Sequence, residues 1–364
     1  MNTKAIAARE AIGELAVAGL GTIDLLAAAG ERLRRVVPST ASAYMATDPA
    51  TLLPTALYKQ GGDSSLEVQL ACAENEYLQE DFAKLTDLAA AERPVITLME
   101  ATGGDLTLSR RHREIHPLIN AADEMRVVFR SGGATWGCAC LARAVDQPDF
   151  SREEQDFLAS VAEDIGGALR LALQFDEATA VDSQAGEMPG ILVLHADDTI
   201  ESATPEAESW LAQLDEQWRD CLPAPVYNVV RVARAVAAGK PVPGPARGRI
   251  RLASGVWLMI RATILRGRDG EPPRIAVVLE PARRAELATL MVMTYDLSAR
   301  EREVTELLLR GLPIDAIAAD LAISRHTVRD HTKAIFGKLG VTSRPELTAK
   351  LYHEHALPEL RFTA

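Results

Sequence analysis

Residues 297–347 constrain this chain more than any other stretch, because their punctuation fits a set of short packed helices. Ser298 is placed to cap a first helix, and Glu301, three residues on, completes a capping box. Val304, Leu307 and Leu308 give that helix one apolar face, and Gly311 suits the left-handed residue that closes it. Ile314, Ile317, Ala318 and Leu321 recur at helical spacing in a second helix. After the brief turn Ala322-Ile323, Ser324 caps a third helix running to about Leu339. Two short helices, a tight turn and a third helix with basic residues make a helix-turn-helix.

The third helix divides into two faces. Val328, His331, Thr332, Ile335 and Leu339 fall on one side, which must pack on the preceding helix. His326, Arg329, Asp330, Lys333, Ala334 and Gly337 fall on the other, the side a DNA major groove would meet. Arg329 and Lys333 can donate to guanine O6 and N7 or to phosphates, and Asp330 can accept from cytosine N4. Ala334 and Gly337 let the helix backbone approach closely. From Ser324 to Lys350 there are six Lys and Arg against two acidic residues. A solvated basic face is the plain explanation of most charge runs; here caps, turn and groove face agree on a reading helix.

The segment resembles the DNA-binding domain of the LuxR/FixJ-type bacterial transcription regulators. The resemblance is carried by Arg300 to Val304, Gly311-Leu312, Ile317-Ala318, Leu321 and Ile323-Ser324. It continues through Thr327, Val328, Arg329, His331, Ile335, Lys338-Leu339-Gly340, Val341, Arg344 and Glu346-Leu347. It implies an all-α, four-helix domain over residues 297–357 that binds double-stranded DNA as a homodimer, with RNA polymerase as a further candidate partner. By the same likeness Arg329 and Lys333 face bases, Thr327 and Lys338 hold phosphates, and Ser324, Arg325, His326 and Asp330 complete the contact set. The last helix, from about Pro345, would help form the dimer. Arg329 stands where a lysine is commoner, and Asp330 is unusual at a base-facing position.

With 364 residues, two or three domains are expected rather than one. The net charge of −12 looks wrong for a DNA binder until it is localised. Residues 296–355 carry nine basic and nine acidic residues, so the excess negative charge lies upstream. An acidic regulatory region joined to a locally basic helix fits a regulator better than a general nucleic-acid coater. The start shows Arg9 and Glu10 but no apolar signal core, and no run of eighteen apolar residues occurs. Four cysteines make no disulfide framework. A cytoplasmic protein without membrane contact is expected.

Upstream, Ile6–Val37 reads as helix, weakened by Gly13, Gly19 and Gly21. Strands follow at 41–47 and 54–59, a helix at 66–78, another helix before Arg93-Pro94, and a strand at 95–99. Residues 124–130 and 135–142 alternate around Ser131-Gly132-Gly133 as a hairpin, and Phe150–Phe175 is one long helix opened by Ser151 and Glu154. That order resembles a GAF sensor domain over residues 1–175, an α+β fold that commonly binds small molecules. Tyr44, Met45, Tyr58 and Trp136 are its candidate pocket residues, although aromatic side chains on strands more often serve as plain core. Cys138 and Cys140 share a strand face, with His112 and His116 nearby in sequence. A C-x-C in a strand is poor zinc geometry, so small buried thiols explain the pair better and no metal is expected.

Residues 176–189 lose periodicity and read as a linker. From 190 to 280, two strands, helices at 205–214 and 225–238, and three further strands resemble a PAS-like α+β domain; His195 at a strand end suits a solvated turn. Residues 281–296, with Leu287, Leu290 and Met291, suit a connecting helix. No nucleotide loop, catalytic set or cofactor motif is found, so no enzyme and no cofactor are expected. The acidic pair of a phosphorylated receiver and the aromatic motif of lactone-binding relatives are also missing. Control by a small molecule or partner is therefore expected; the alternative is a metal, redox or other signalling sensor whose chemistry lies in the GAF/PAS-like region.

Overall fold

The computed structural model describes residues 3–62, 65–178, 188–216, 218–219, 221–267, 272–283, 290, 293–295 and 297–353. They form two compact units, residues 1–130 with 135–282, and residues 131–134 with 283–364. The first unit holds two five-stranded antiparallel sheets, and the second holds the C-terminal helices. A multidomain α+β chain with an all-α C-terminus is what the sequence led one to expect.

In the first unit, α1 (Thr3–Gly13), a 3-10 turn at Glu14–Val17 and α2 (Thr22–Arg34) replace the single helix expected over 6–37. The break falls where the glycines are, and Gly19 has φ of +62°. Strands β1 (Ala41–Thr47), β2 (Pro54–Gly61), β3 (Val95–Thr97), β4 (Ala121–Ser131) and β5 (Ala134–Ala144) form a sheet in the order β2-β1-β5-β4-β3. The strand expected at 95–99 ends early, because Thr97 caps the short helix α5 (Leu98–Ala101) through Glu100 N–H. Between them lie α3 (Leu66–Tyr77), α4 (Leu85–Ala90) and, later, α6 (Arg110–Glu114). The long helix α7 (Arg152–Ala178) closes this part. Ser151 and Glu154 make the expected reciprocal cap, at 2.8 and 3.3 Å.

Pleat periodicity sorts the sheet into two faces. On one, Tyr44 lies over Gly30 of α2, where an added Cβ would sit 2.8 Å from the ring. Gly137 on the same face admits Leu169 of α7. Helix α7 turns Phe157, Leu158, Val161, Ile165 and Leu169 inward at three- and four-residue spacing, all 3% exposed or less.

The second sheet, of β6 (Gly190–Leu194), β7 (Ile200–Ala203), β8 (Arg247–Arg251), β9 (Trp257–Leu265) and β10 (Arg274–Pro281), has the order β7-β6-β10-β9-β8. Counted from the first strand of each, the two sheets thus share one topology. Helices α8 (Pro205–Leu214) and α9 (Ala224–Ala237) supply Trp210, Val226, Val229 and Val230 to a core that also takes Leu53 and Ala73 from the first part. The Asp48 carboxylate meets Arg249 Nη1 at 2.6 Å across this junction, the two side chains 2% and 3% exposed. Glu74 of α3 meets Arg231 of α9 at 2.8 Å.

The second unit contains α10 (Ala299–Leu309), α11 (Ile314–Asp320), α12 (Arg325–Leu339) and α13 (Arg344–His353). Its core joins Val304, Leu308, Ile317, Val328, Ile335, Leu339 and Leu347. Most of the linker expected at 176–189 lies outside the described residues, as do Leu287 and Met291 of the expected connecting helix and residues 354–357 of the C-terminal domain. Among the described residues no helix is long and apolar enough to cross a membrane.

Candidate functional site

The helix α12 is built from its ends inward. The Ser324 hydroxyl accepts from Thr327 N–H at 3.0 Å, fixing the start, and Gly340 at φ +64° ends the helix in the left-handed region. Upstream, Ser298 and Glu301 form both bonds of the capping box and Gly311 is left-handed at φ +89°. Val328, Ile335 and Leu339 are buried, which fixes the helix's rotation. His326, Arg329, Asp330, Lys333, Ala334 and Gly337 are consequently exposed, while His331 and Thr332 are only half-buried.

The charges on the exposed face differ in how far they are already spent. Arg325 is bonded to Asp315 at 2.9 Å, and His326 Nδ1 lies 2.8 Å from Asp330 Oδ2. Thr327 Oγ1 lies 2.8 Å from Ser324 Oγ, within its own cap. Arg329 and Lys333 have no hydrogen bond or ion pair among the described residues. One turn apart on an exposed face, they are the cations the fold leaves unneutralised.

Lys338 is different. Its ammonium sits 2.7 Å from Glu301 Oε2, and Glu301 is 6% exposed. The same carboxylate oxygen accepts from Ser298 N–H at 2.7 Å, so Lys338 ties the end of α12 to the start of α10. A phosphate would have to compete with this carboxylate. Burial works against ionising Glu301, but Lys338 and the Ser298 bonds outweigh it and hold the carboxyl below its usual value. A carboxylate lowered on folding stabilises the fold above the unfolded value and loses that effect as pH falls through the folded one. Lys338→Ala is expected to cost about 1–3 kcal/mol of stability and to flatten the loss of stability below about pH 4.5. Urea unfolding at several pH values checks this; an unchanged midpoint would return Lys338 to the purely DNA-facing set.

Three further basic residues have interior duties that sequence reading did not foresee. Arg344 donates to the carbonyls of Leu308 (3.1 Å) and Leu312 (2.9 Å) at the end of α10. Arg300 donates to Leu321 O (2.6 Å) after α11, and Lys350 to Leu339 O (2.8 Å) at the end of α12. Each donates to carbonyls at or just beyond a helix C-terminus, where intrahelical donors run out, although the Leu308 carbonyl also accepts from Gly311 N–H at 3.0 Å. The apolar side of α13 is likewise occupied, with Leu347 and Leu351 buried in the unit's own core.

The four candidate pocket residues in the first sheet do not come together. Tyr44 is fully buried on the α2 side, with the Tyr58 ring 6.4 Å away. Trp136 is buried on the opposite face, and of the four only Met45 lines a cavity there of about 260 Å³. That cavity is bounded by the sheet, by α3 and, across the junction, by Ala224, Pro225, Asn228 and Ile250. His112 Nδ1 lies 3.2 Å from His116 Nδ1, and His116 Nε2 lies 3.4 Å from Glu124, but neither histidine joins the cysteines. Among the described residues no three His, Cys, Asp or Glu side chains are grouped to hold a metal. Burial pushes the Cys138 thiol well up and that of Cys140 to about 12, so both stay protonated and unreactive at neutral pH. His195 is half-exposed, 3.6 Å from Glu201.

Comparison with known proteins bears on the C-terminal unit. The family model described as bacterial regulatory proteins, luxR family, matches residues 296–351. A protein of Aeromonas salmonicida, named for its HTH type and its place in the exeN 3′ region, is 55% identical over 51 residues, 14% of this chain and 26% of its own length. The chain thus spans about a quarter of that relative. The spore germination protein GerE of Bacillus subtilis is 44% identical over 55 residues, 15% of this chain and 74% of its own length. Among solved structures, the GAF domain of an Acinetobacter phosphoenolpyruvate-protein phosphotransferase aligns with 50% of this chain and all of its own, at 13% identity and a TM-score of 0.33. With a matched family model and 74% of GerE covered at 44% identity, the chain belongs to the luxR family of bacterial regulatory proteins.

Proposed function

We propose that the chain is a sequence-specific DNA-binding transcription regulator. In this reading α12 enters the major groove, and the two sheets of the first unit are a GAF-like and a PAS-like module that set its activity through a small molecule. The observation that carries the reading is the pair Arg329 and Lys333, uncompensated on the exposed face of a helix whose other face is buried. Strand, strand, helices, strand, hairpin and long helix over residues 41–178 supports the GAF-like assignment. Two strands, two helices and three antiparallel strands over 190–281 supports the PAS-like one. Binding as a homodimer to a short repeat belongs to the same reading, and it gives the chain no catalytic step.

The test is selection of preferred sites from random duplex DNA by the full chain, followed by titrations at several salt concentrations. A preferred site is expected, with log affinity falling linearly against log salt because phosphate neutralisation releases counterions. Since Arg325 is paired and Lys338, Arg344 and Lys350 are engaged inside the unit, the slope should be shallow, on the order of two phosphates per copy. Binding that ignores both sequence and salt would refute the reading.

A further inference from the structure

The cavity on the first sheet exists because its floor is lined by small side chains. Ala41 faces Ala142, and Ala43 faces Cys140, across β1 and β5. On a covered sheet face such positions ordinarily carry branched or aromatic residues that would fill the space. Here about 260 Å³ stays open. That exceeds a cavity of ~150 Å³ that takes benzene and falls below the ~300–1,000 Å³ of drug-sized sites. Met45, Leu57, Val68, Tyr77, Ile115 and Ile119 make its walls mainly apolar.

At one end the polar groups are nearly all spoken for. Glu76 Oε1 accepts from Leu85 N–H at 2.8 Å, and its Oε2 accepts from Arg126 Nη1 at 2.8 Å. Glu124 takes Arg126 Nε on one oxygen and faces His116 on the other. Both carboxylates are therefore already paired with Arg126, and a cationic ligand would have to compete with its guanidinium. Arg126, which lines the cavity and is 7% exposed, also donates Nη1 to Ala83 O at 3.2 Å. Its Nη2 has no partner among the described residues. On the far side, the Asn228 amide of α9 lines the same cavity and is likewise without a partner among them.

We propose that this cavity is the effector site, and that it takes a compact, uncharged, mostly apolar molecule whose carbonyl-type oxygen accepts from Arg126 Nη2. An anion fits poorly, because Glu76 and Glu124 already neutralise the guanidinium and stand beside the place its charge would occupy. A molecule with no acceptor leaves Nη2 of a side chain only 9% exposed without a partner once it displaces water. The roof comes from Ala224, Pro225, Asn228 and Ile250 of the second sheet's half, so an occupant touches both halves of the unit at once. The proposal rests on reading the sheets as a sensor.

The test uses the full chain without DNA and three probes of matched shape: acetophenone, ethylbenzene and benzoate. Saturation-transfer NMR titrations should show acetophenone binding at least about fivefold tighter than the other two. Ala43→Leu, which fills the floor, should abolish acetophenone binding while circular dichroism and thermal unfolding show a folded chain. Arg126→Lys keeps a cation between the two glutamates and should erase the preference for acetophenone over ethylbenzene without abolishing ethylbenzene binding. Benzoate binding tightest would overturn the uncharged class, and ethylbenzene equal to acetophenone would overturn the role of Arg126. No probe bound, or binding unaffected by Ala43→Leu, would overturn the site itself. Failure of the regulator reading would show instead as loss of site preference in the DNA selection, which no probe result affects.

Discussion

Arg329→Ala in the full chain is expected to lower affinity for the preferred duplex by about 1–3 kcal/mol, roughly fivefold to 150-fold. Affinity for a scrambled duplex should fall much less. The asymmetry follows from what the guanidinium does in the two complexes. In the proposed orientation it would form two parallel N–H bonds to one guanine edge on the preferred sequence, and elsewhere would contribute one mobile positive charge. Nothing within the described residues competes for it, so removing the side chain costs the unbound protein no internal bond. Lys333→Ala should relax discrimination at a neighbouring base pair, since it lies one turn further along the same exposed face. Arg329→Lys should keep the salt slope and lose part of the discrimination, because an ammonium cannot make the paired contact. Competition binding on specific and scrambled DNA reads all three variants. If both alanine variants discriminate as well as the unmodified chain, α12 does not present this face to the groove.

How much of this could be read in advance depended on whether the signal was local. Ser298 with Glu301, Gly311 and Ser324 act within one turn of themselves, and each stands in the role its neighbours implied. The rotation of α12 was legible for the same reason, since Val328, Ile335 and Leu339 alone fix it. Lys338 was not legible, because its partner Glu301 is 37 residues away and no spacing rule reaches that far. Of the four aromatic and sulfur-bearing pocket candidates, only Met45 lines the cavity. Alternation says that Tyr44 and Met45 lie on opposite faces of β1, but not which face meets a close-packed helix and which a void. The void was signalled by what is small: Ala41, Ala43, Cys140 and Ala142, residues that look featureless until their register is known. The helix expected over 6–37 was long by composition, yet the glycines between α1 and α2 break it. The shared core of the two sheets had no local signature at all, since Leu53 and Ala73 reach it only through the fold.

The junction between the two sheets should fail if its buried ion pair is broken from one side. Asp48 and Arg249 are 2% and 3% exposed and 2.6 Å apart, so neither charge can fall back on water when the other is removed. Asp48→Ala and Arg249→Met are each expected to cost about 3–5 kcal/mol, most of it the penalty of stranding the remaining charge. Asp48 has a second duty: its other oxygen accepts from Ala50 N–H at 3.0 Å and holds the turn in which Leu52 adopts φ of +56°. The double replacement Asp48→Leu with Arg249→Met strands no charge and substitutes apolar contacts. It should therefore lose less than either single change, retaining a deficit of about 1 kcal/mol from the undone turn bond. Urea unfolding can be followed by the fluorescence of Trp136 in the first sheet and of Trp210 and Trp257 in the second part, all buried in the folded chain. Because the pair lies between the two sheets, both sets of tryptophans should shift to lower urea together in the single variants. A single variant with an unchanged midpoint would show that water reaches the junction and screens the pair. A double variant as unstable as the singles would show that Asp48 acts through its turn rather than through Arg249.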